Sequence, residues 1–146
     1  LNHGKEIGCK TIYLICNKEP FYHANVDIVI SIEVGPEIIT GSTRMKAGTA
    51  TKLALNMIST ATMVKLGKIY GNLMVDLMAV NKKLVDRGIR IIQDLTDLSY
   101  EDSSAMLLSA ERSVKTALVM INRKCNLDEA RNILERKNGI LRDIIN

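Results

Sequence analysis

The chain has no tryptophan, one phenylalanine and four tyrosines among 146 residues, so aromatics make up only 3%. Proteins that hold single-stranded nucleic acid stack bases on aromatic rings in a basic groove. With few rings, no basic run and a mild net charge of +4, no nucleic-acid partner is expected. No apolar run reaches the roughly 18–20 residues of a membrane span, and no signal-peptide pattern opens the chain. The expectation is therefore a cytoplasmic protein with no membrane partner. Cysteine is sparse and odd in number: Cys9, Cys16 and Cys125, with no CxxC and no framework spacing. That pattern reads as reduced thiols, consistent with the same compartment. The two histidines, His3 and His23, lack helical metal-ligand spacing, and no metal is expected. An initiating methionine is also missing. "LNHGKEIGCK" reads as the last turns of a helix capped by Gly8, and the expectation is a piece of a longer polypeptide.

What is present is an ordinary globular balance, 47% hydrophobic and 25% charged. "KTIYLIC", Lys10 to Cys16, is a short run of strand formers. "NKEP" is a turn that Pro20 stops. "VDIVISI", Val26 to Ile32, is a second run, apolar on both faces except at Asp27 and Ser31. Strands of that kind belong in parallel sheets covered on both sides. From Arg44 to about Leu66, residues Ala50, Leu53, Ala54, Met57, Ala61 and Val64 share one face of a helix. Leu55 and Ile58 widen the apolar surface, so cover on both sides is expected. "GKIYGN" interrupts, and Leu73 to about Thr96 reads as further helix with Gly88 a weak point, costing about 1 kcal/mol against alanine. Ser99 is the expected N-cap of the following helical stretch. A turn at Cys125–Asn126 and a break at Asn138–Gly139 divide the rest into short helices without strands. Two strands do not make a stable parallel sheet by themselves, so the sheet is expected to need partners.

The chemistry is expected in "VGPEIITGSTRMKAGTATK", Val34 to Lys52. A loop leaving the carboxyl end of a parallel strand lies where open α/β sheets bind ligands. The helix after it is expected to begin near Ser42–Thr43, with unpaired N–H groups and the positive end of its dipole. Gly35 and Gly41 allow close backbone approach, and Glu37 is the only carboxylate between Val34 and the helix. Two readings stand side by side. Ser42 or Thr43 caps the helix, worth about 1 kcal/mol, or the same groups hold an anion or sugar oxygens. Arg44 and Lys46 likewise either meet phosphate or stay solvated and paired. The stretch is not a P-loop, because it lacks the Gly-Lys-Ser/Thr ending.

"VGPEIITGSTRMKAGTATKLALNMIST" resembles the signature of the N-acetylmuramic acid 6-phosphate etherases, shared in looser form with glucokinase regulatory protein. "LGKIYGNLMVDLMAVNKKL", Leu66 to Leu84, and "VDIVISIEVGPE" match the same family, so the similarity covers most of Lys10 to Leu95. The resemblance implies an α/β fold: the C-terminal part of a SIS (sugar isomerase) parallel sheet sandwiched by helices, followed by a small helical domain. Residues 1–97 are then the second half of the phosphosugar-binding domain with its trailing helices, and 98–146 the helical domain. It implies that Glu37, Gly41, Ser42 and Thr43 line or support a pocket for a phosphorylated amino sugar. The implied reaction removes a D-lactyl ether by elimination and hydration, with no cofactor. The family's acid/base glutamates and phosphate-binding hydroxyl loops lie upstream, so no catalytic residue is assigned here. The family and the apolar helix both point to a homodimer, and burial of that helix within one subunit would leave the same apolar pattern. A non-catalytic regulator that senses a phosphosugar is the alternative, and a generic phosphosugar isomerase a weaker third.

Overall fold

The structure, a computed structural model, describes residues 1–19 and 25–145. Pro20, expected to end the first strand's turn, and His23 lie outside the described residues. The fold is mixed α/β. It divides into two compact units, Leu1–Thr60 and Ala61–Asn146.

In the first unit, helix α1 (Asn2–Glu6) ends as expected at Gly8, whose φ is +78°. Strands β1 (Ile12–Ile15) and β2 (Ile28–Ser31) pair in parallel, Ile12 opposite Ile28 and Ile15 opposite Ser31. Asp27, the polar exception in its run, pins the start of the pair. Its carboxylate accepts from the Thr11 amide and the Thr11 hydroxyl, both at 2.8 Å. Those two bonds, the amide first, lower its pKa to about 2. At the other end the Ser31 hydroxyl donates to the carbonyls of Asn17 and Lys18.

Helix α2 spans Lys46–Lys65, two residues later than the expected start at Arg44. The expected double cover is not supplied. Ala54 is the only buried α2 residue, while Leu53, Leu55, Met57, Ile58, Met63 and Val64 remain exposed, as do Ile12, Ile28 and Val29 of the sheet. Geometry explains the shortfall. Two four-residue strands run ~13 Å, against ~30 Å for a 20-residue helix.

The second unit corrects one reading outright. Leu73 does not start a helix. Strands β3 (Ile69–Tyr70) and β4 (Leu73–Met74) form an antiparallel hairpin. Gly71, at φ +58°, sits first in a two-residue loop, where glycine's left-handed freedom suits the hairpin twist. The chain stays extended and forms a bridge from Met78 to Ser113. Helix α3 then runs Lys82–Leu95, started by the Asn81 side chain accepting from the Leu84 amide at 2.9 Å.

Helix α4 (Tyr100–Ser109) is capped by Ser99 as expected, its hydroxyl accepting from the Asp102 amide at 3.0 Å. A second break follows that the sequence did not reveal. Glu111 and Arg112 both take left-handed backbone, and Ser113 caps helix α5 (Val114–Arg123). Asn126 and Glu129 form a reciprocal capping box opening helix α6 (Leu127–Arg136), and a left-handed Asn138–Gly139 pair leads to a short 3-10 turn, Leu141–Asp143. Val75, Ile92, Leu107, Val114, Leu118, Val119 and Leu141 form the core of this unit.

Gly88 is no weak point in that core. A Cβ there would lie 2.9 Å from Val114 Cγ2 and 3.2 Å from Leu107 Cδ2, so its bare backbone is what lets α3 approach α4 and α5. Lys115 is nearly buried. Its ammonium donates to the carbonyls of Gly67 at 3.0 Å and Gly139 at 2.8 Å, and pairs with Asp76 at 3.5 Å. Burial pushes the Asp76 carboxyl up, but the Lys68 hydrogen bond and the Lys115 and Lys68 charges outweigh it and hold it below its usual value.

Candidate functional site

The loop Ile32–Met45 leaves the carboxyl end of β2 and enters α2 within the first unit. Its geometry is set by Glu37. One carboxylate oxygen accepts from the Lys46 amide at 3.1 Å and the other from the Ala47 amide at 3.0 Å. These bonds, Ala47's first, and the Lys46 charge hold the Glu37 carboxyl below its usual range. Glu37 therefore does the capping expected of Ser42 or Thr43. A negative charge at the positive helix end satisfies two of its orphan donors. The Thr43 carbonyl takes a further amide, that of Gly48, at 2.8 Å. The anion-binding potential of this helix start is thus spent within the chain.

Two tethers hold the arrangement. The Lys46 ammonium donates to the Pro36 carbonyl at 2.9 Å, which fixes Lys46 in the paired role. The Cys16 thiol, just past β1, donates to the Ala47 carbonyl at 3.5 Å and lies 3.3 Å from the Thr51 hydroxyl. Nothing in the sequence marked Cys16 or Thr51 for this role, since the contact joins residues more than 30 positions apart.

Gly41 sits at φ +83°, the conformation its lack of Cβ permits, and turns the chain so that the Ser42 amide bonds the Ile39 carbonyl at 2.9 Å. Among the described residues, the hydroxyls of Ser42 and Thr43 and the guanidinium of Arg44 have no hydrogen-bonding protein partner. Glu37, Gly41, Ser42 and Thr43 therefore share one loop, but with distinct postures: Glu37 faces the helix, while the hydroxyls stay available. Beside them lies a small cleft of about 140 Å³, lined by Ile38, Ile39, Ser42, Arg44 and Met45. Pockets that enclose a whole small molecule run ~300–1,000 Å³, so this cleft is smaller than the usual size of such a pocket.

Comparison with known proteins shows what this chain is similar to. The chain is 52% identical over 142 residues to an N-acetylmuramic acid 6-phosphate etherase of Oceanobacillus iheyensis, covering 97% of this chain and 48% of that protein. It is 48% identical over 141 residues to the etherase of Bacillus subtilis, covering 97% of this chain and 46% of that protein. The etherase of an Escherichia coli O1:K1 strain is 42% identical over 142 residues, 97% of this chain and 48% of its own length. The chain is similar to the N-acetylmuramic acid 6-phosphate etherases. It spans about half the length of the curated relatives it matches. Residues 71–115 also match the family model described as the C-terminal lid domain of glucokinase regulatory protein. That segment holds β4, α3 and α4 and reaches Lys115. The resemblance carried by the Gly-Ser-Thr-Arg-Met-Lys stretch is thus borne out along nearly the whole chain. No helix among the described residues is long and apolar enough to cross a membrane.

Proposed function

We propose that this chain is the C-terminal half of an N-acetylmuramic acid 6-phosphate etherase, a carbon–oxygen lyase. The observation that carries the proposal is the 42–52% identity to etherases over almost all of this chain. The exposed Ile12, Ile28 and Val29 of the sheet agree with it.

In this reading residues 1–97 are the second half of a SIS-type domain, a parallel sheet sandwiched by helices, and 98–146 are a small helical domain. That division concerns ancestry and differs from the packing units, which part at Thr60–Ala61. The substrate is a phosphorylated amino sugar. A base takes the C2 proton of the open-chain aldehyde, the D-lactyl oxygen leaves C3, and water adds to the resulting enal. The products are N-acetylglucosamine 6-phosphate and D-lactate. The aldehyde itself acidifies C2–H, so proton transfer by carboxylates suffices and no cofactor is called for.

Glu37 supports the site by fixing the loop to α2. Gly41, Ser42 and Thr43 line it, with the free hydroxyls meeting the substrate. The acid/base residues belong to the other half of the protein. The working protein is a cytoplasmic homodimer, a role that suits the uncovered apolar faces of α2.

A second reading, a phosphosugar-sensing regulator without catalysis, is favoured by the match of residues 71–115 to the regulatory protein's lid domain. One experiment separates the two. A polypeptide of the relatives' full length that contains this sequence is incubated with N-acetylmuramic acid 6-phosphate, and D-lactate release is followed. The etherase releases lactate, while the 146-residue chain alone does not. Tight phosphosugar binding without release by the full-length form overturns the etherase reading in favour of the regulator.

A further inference from the structure

Resting on the etherase reading, we infer that the cleft lined by Ile38, Ile39, Ser42, Arg44 and Met45 is the subsite for the lactyl group of the substrate. The methyl-bearing carbon packs on the isoleucine and methionine side chains, and the carboxylate meets the Arg44 guanidinium and the Ser42 hydroxyl.

Size comes first. At about 140 Å³ the cleft has room for a short branched acid. Chemistry agrees. A lactyl group is a small apolar carbon next to one negative charge. The lining residues suit it. The cleft surface is mostly apolar, with Ile38, Ile39 and Met45 for the methyl-bearing carbon, and Arg44 and Ser42 belong to the same lining and can turn polar ends to a carboxylate at its mouth. Arginine is the side chain suited to grip a carboxylate in two-point fashion. Among the described residues Arg44 is engaged by no carboxylate or carbonyl, unlike Lys46, which is tied to Pro36.

The sugar's phosphate is the competing anion, and the loop is poorly built for it. A dianion calls for several converging donors, typically the free amides of a helix start. Here Glu37 already occupies the Lys46 and Ala47 amides and adds a negative charge nearby. A single carboxylate on an apolar floor fits better. Arg44 then selects the ether-bearing substrate over the same sugar without its lactyl group.

The test compares wild-type, Arg44→Gln and Arg44→Lys forms of the full-length polypeptide. Three measurements are made: turnover of N-acetylmuramic acid 6-phosphate, turnover of its analogue with the lactyl carboxylate converted to an amide, and inhibition by N-acetylglucosamine 6-phosphate, which has the phosphate but no lactyl group. Arg44→Gln is expected to raise KM for the substrate about tenfold or more, the size of a lost charge-assisted hydrogen bond, with product inhibition unchanged within about twofold. The amide analogue loses nothing further in that variant, and Arg44→Lys recovers part of the loss. Equal losses toward substrate and product place Arg44 on the phosphate and overturn the assignment, as do unaltered kinetics in both variants. A wild-type protein that releases no lactate overturns the etherase reading itself, and the subsite with it.

Discussion

The Glu37 carboxylate lies 3.0 Å from the Ala47 amide, ten residues further along the chain, and closes the start of α2 from outside the helix. This one contact decides how the hydroxyl loop is presented. It also makes the loop sensitive to acid.

Because its pKa is lowered from 4.5 in the folded chain, Glu37 contributes stability that is fully present above the unfolded value and lost as pH falls through the folded one. The melting temperature of the wild type should therefore drop on acidification below about pH 4.5 more steeply than that of Glu37→Gln. Parallel acid limbs in the two proteins would show that the cap has no energetic consequence.

Gly88→Ala should destabilise the helical unit, although alanine is the better helix former by about 1 kcal/mol. The new methyl meets Val114 Cγ2 at 2.9 Å, and valine's branched side chain has little freedom to move. Overpacking of this kind costs about 1–3 kcal/mol. Urea denaturation checks it, and pairing the change with Val114→Ala should recover part of the loss.

Lys115→Met keeps the length of the side chain and removes its charge. The Gly67 and Gly139 carbonyls then lose their shared donor, and Asp76 loses one of its two cations. The expected loss is about 2–4 kcal/mol, the range for stripping one partner from a buried polar cluster. A midpoint of denaturation within error of the wild type would contradict the clamp.

Ser103 is fully buried, and its hydroxyl has no hydrogen-bond partner among the described residues. Ser103→Ala removes an unsatisfied polar atom and adds helix propensity inside α4. It should raise stability by about 1 kcal/mol, measured by the same denaturation. A fall of similar size would mean that the hydroxyl is satisfied in solution.

The 146-residue chain by itself should associate. Its parallel β1–β2 sheet has unpaired edges among the described residues, and α2 exposes Leu53, Leu55 and Met57 at 52%, 55% and 66%. Unpaired edges and apolar surface both invite contact with other chains. Sedimentation should show a concentration-dependent mass, whereas a sharp monomer across the range would contradict it.

Much of this was legible in the sequence, for local reasons. β-branched runs give β1 and β2, the apolar repeat gives α2 to within two residues, and Ser99, Asn126 and Asn138–Gly139 announce helix ends, because propensity and capping act over a few neighbours. The misreadings have local causes too. The apolar residues after Gly71 suit strand or helix alike, and the left-handed Glu111–Arg112 break carries no glycine to signal it. What only the tertiary structure decided are relationships across sequence distance. Glu37 rather than Ser42 or Thr43 caps α2, Gly88 is a point of close approach rather than a weakness, and Lys115 reaches back 48 residues to the Gly67 carbonyl. A carboxylate, a glycine and a lysine look the same in a sequence whether exposed or engaged. Their roles are fixed only when folding brings amides, methyl groups and carbonyls from distant segments within hydrogen-bonding or van der Waals reach.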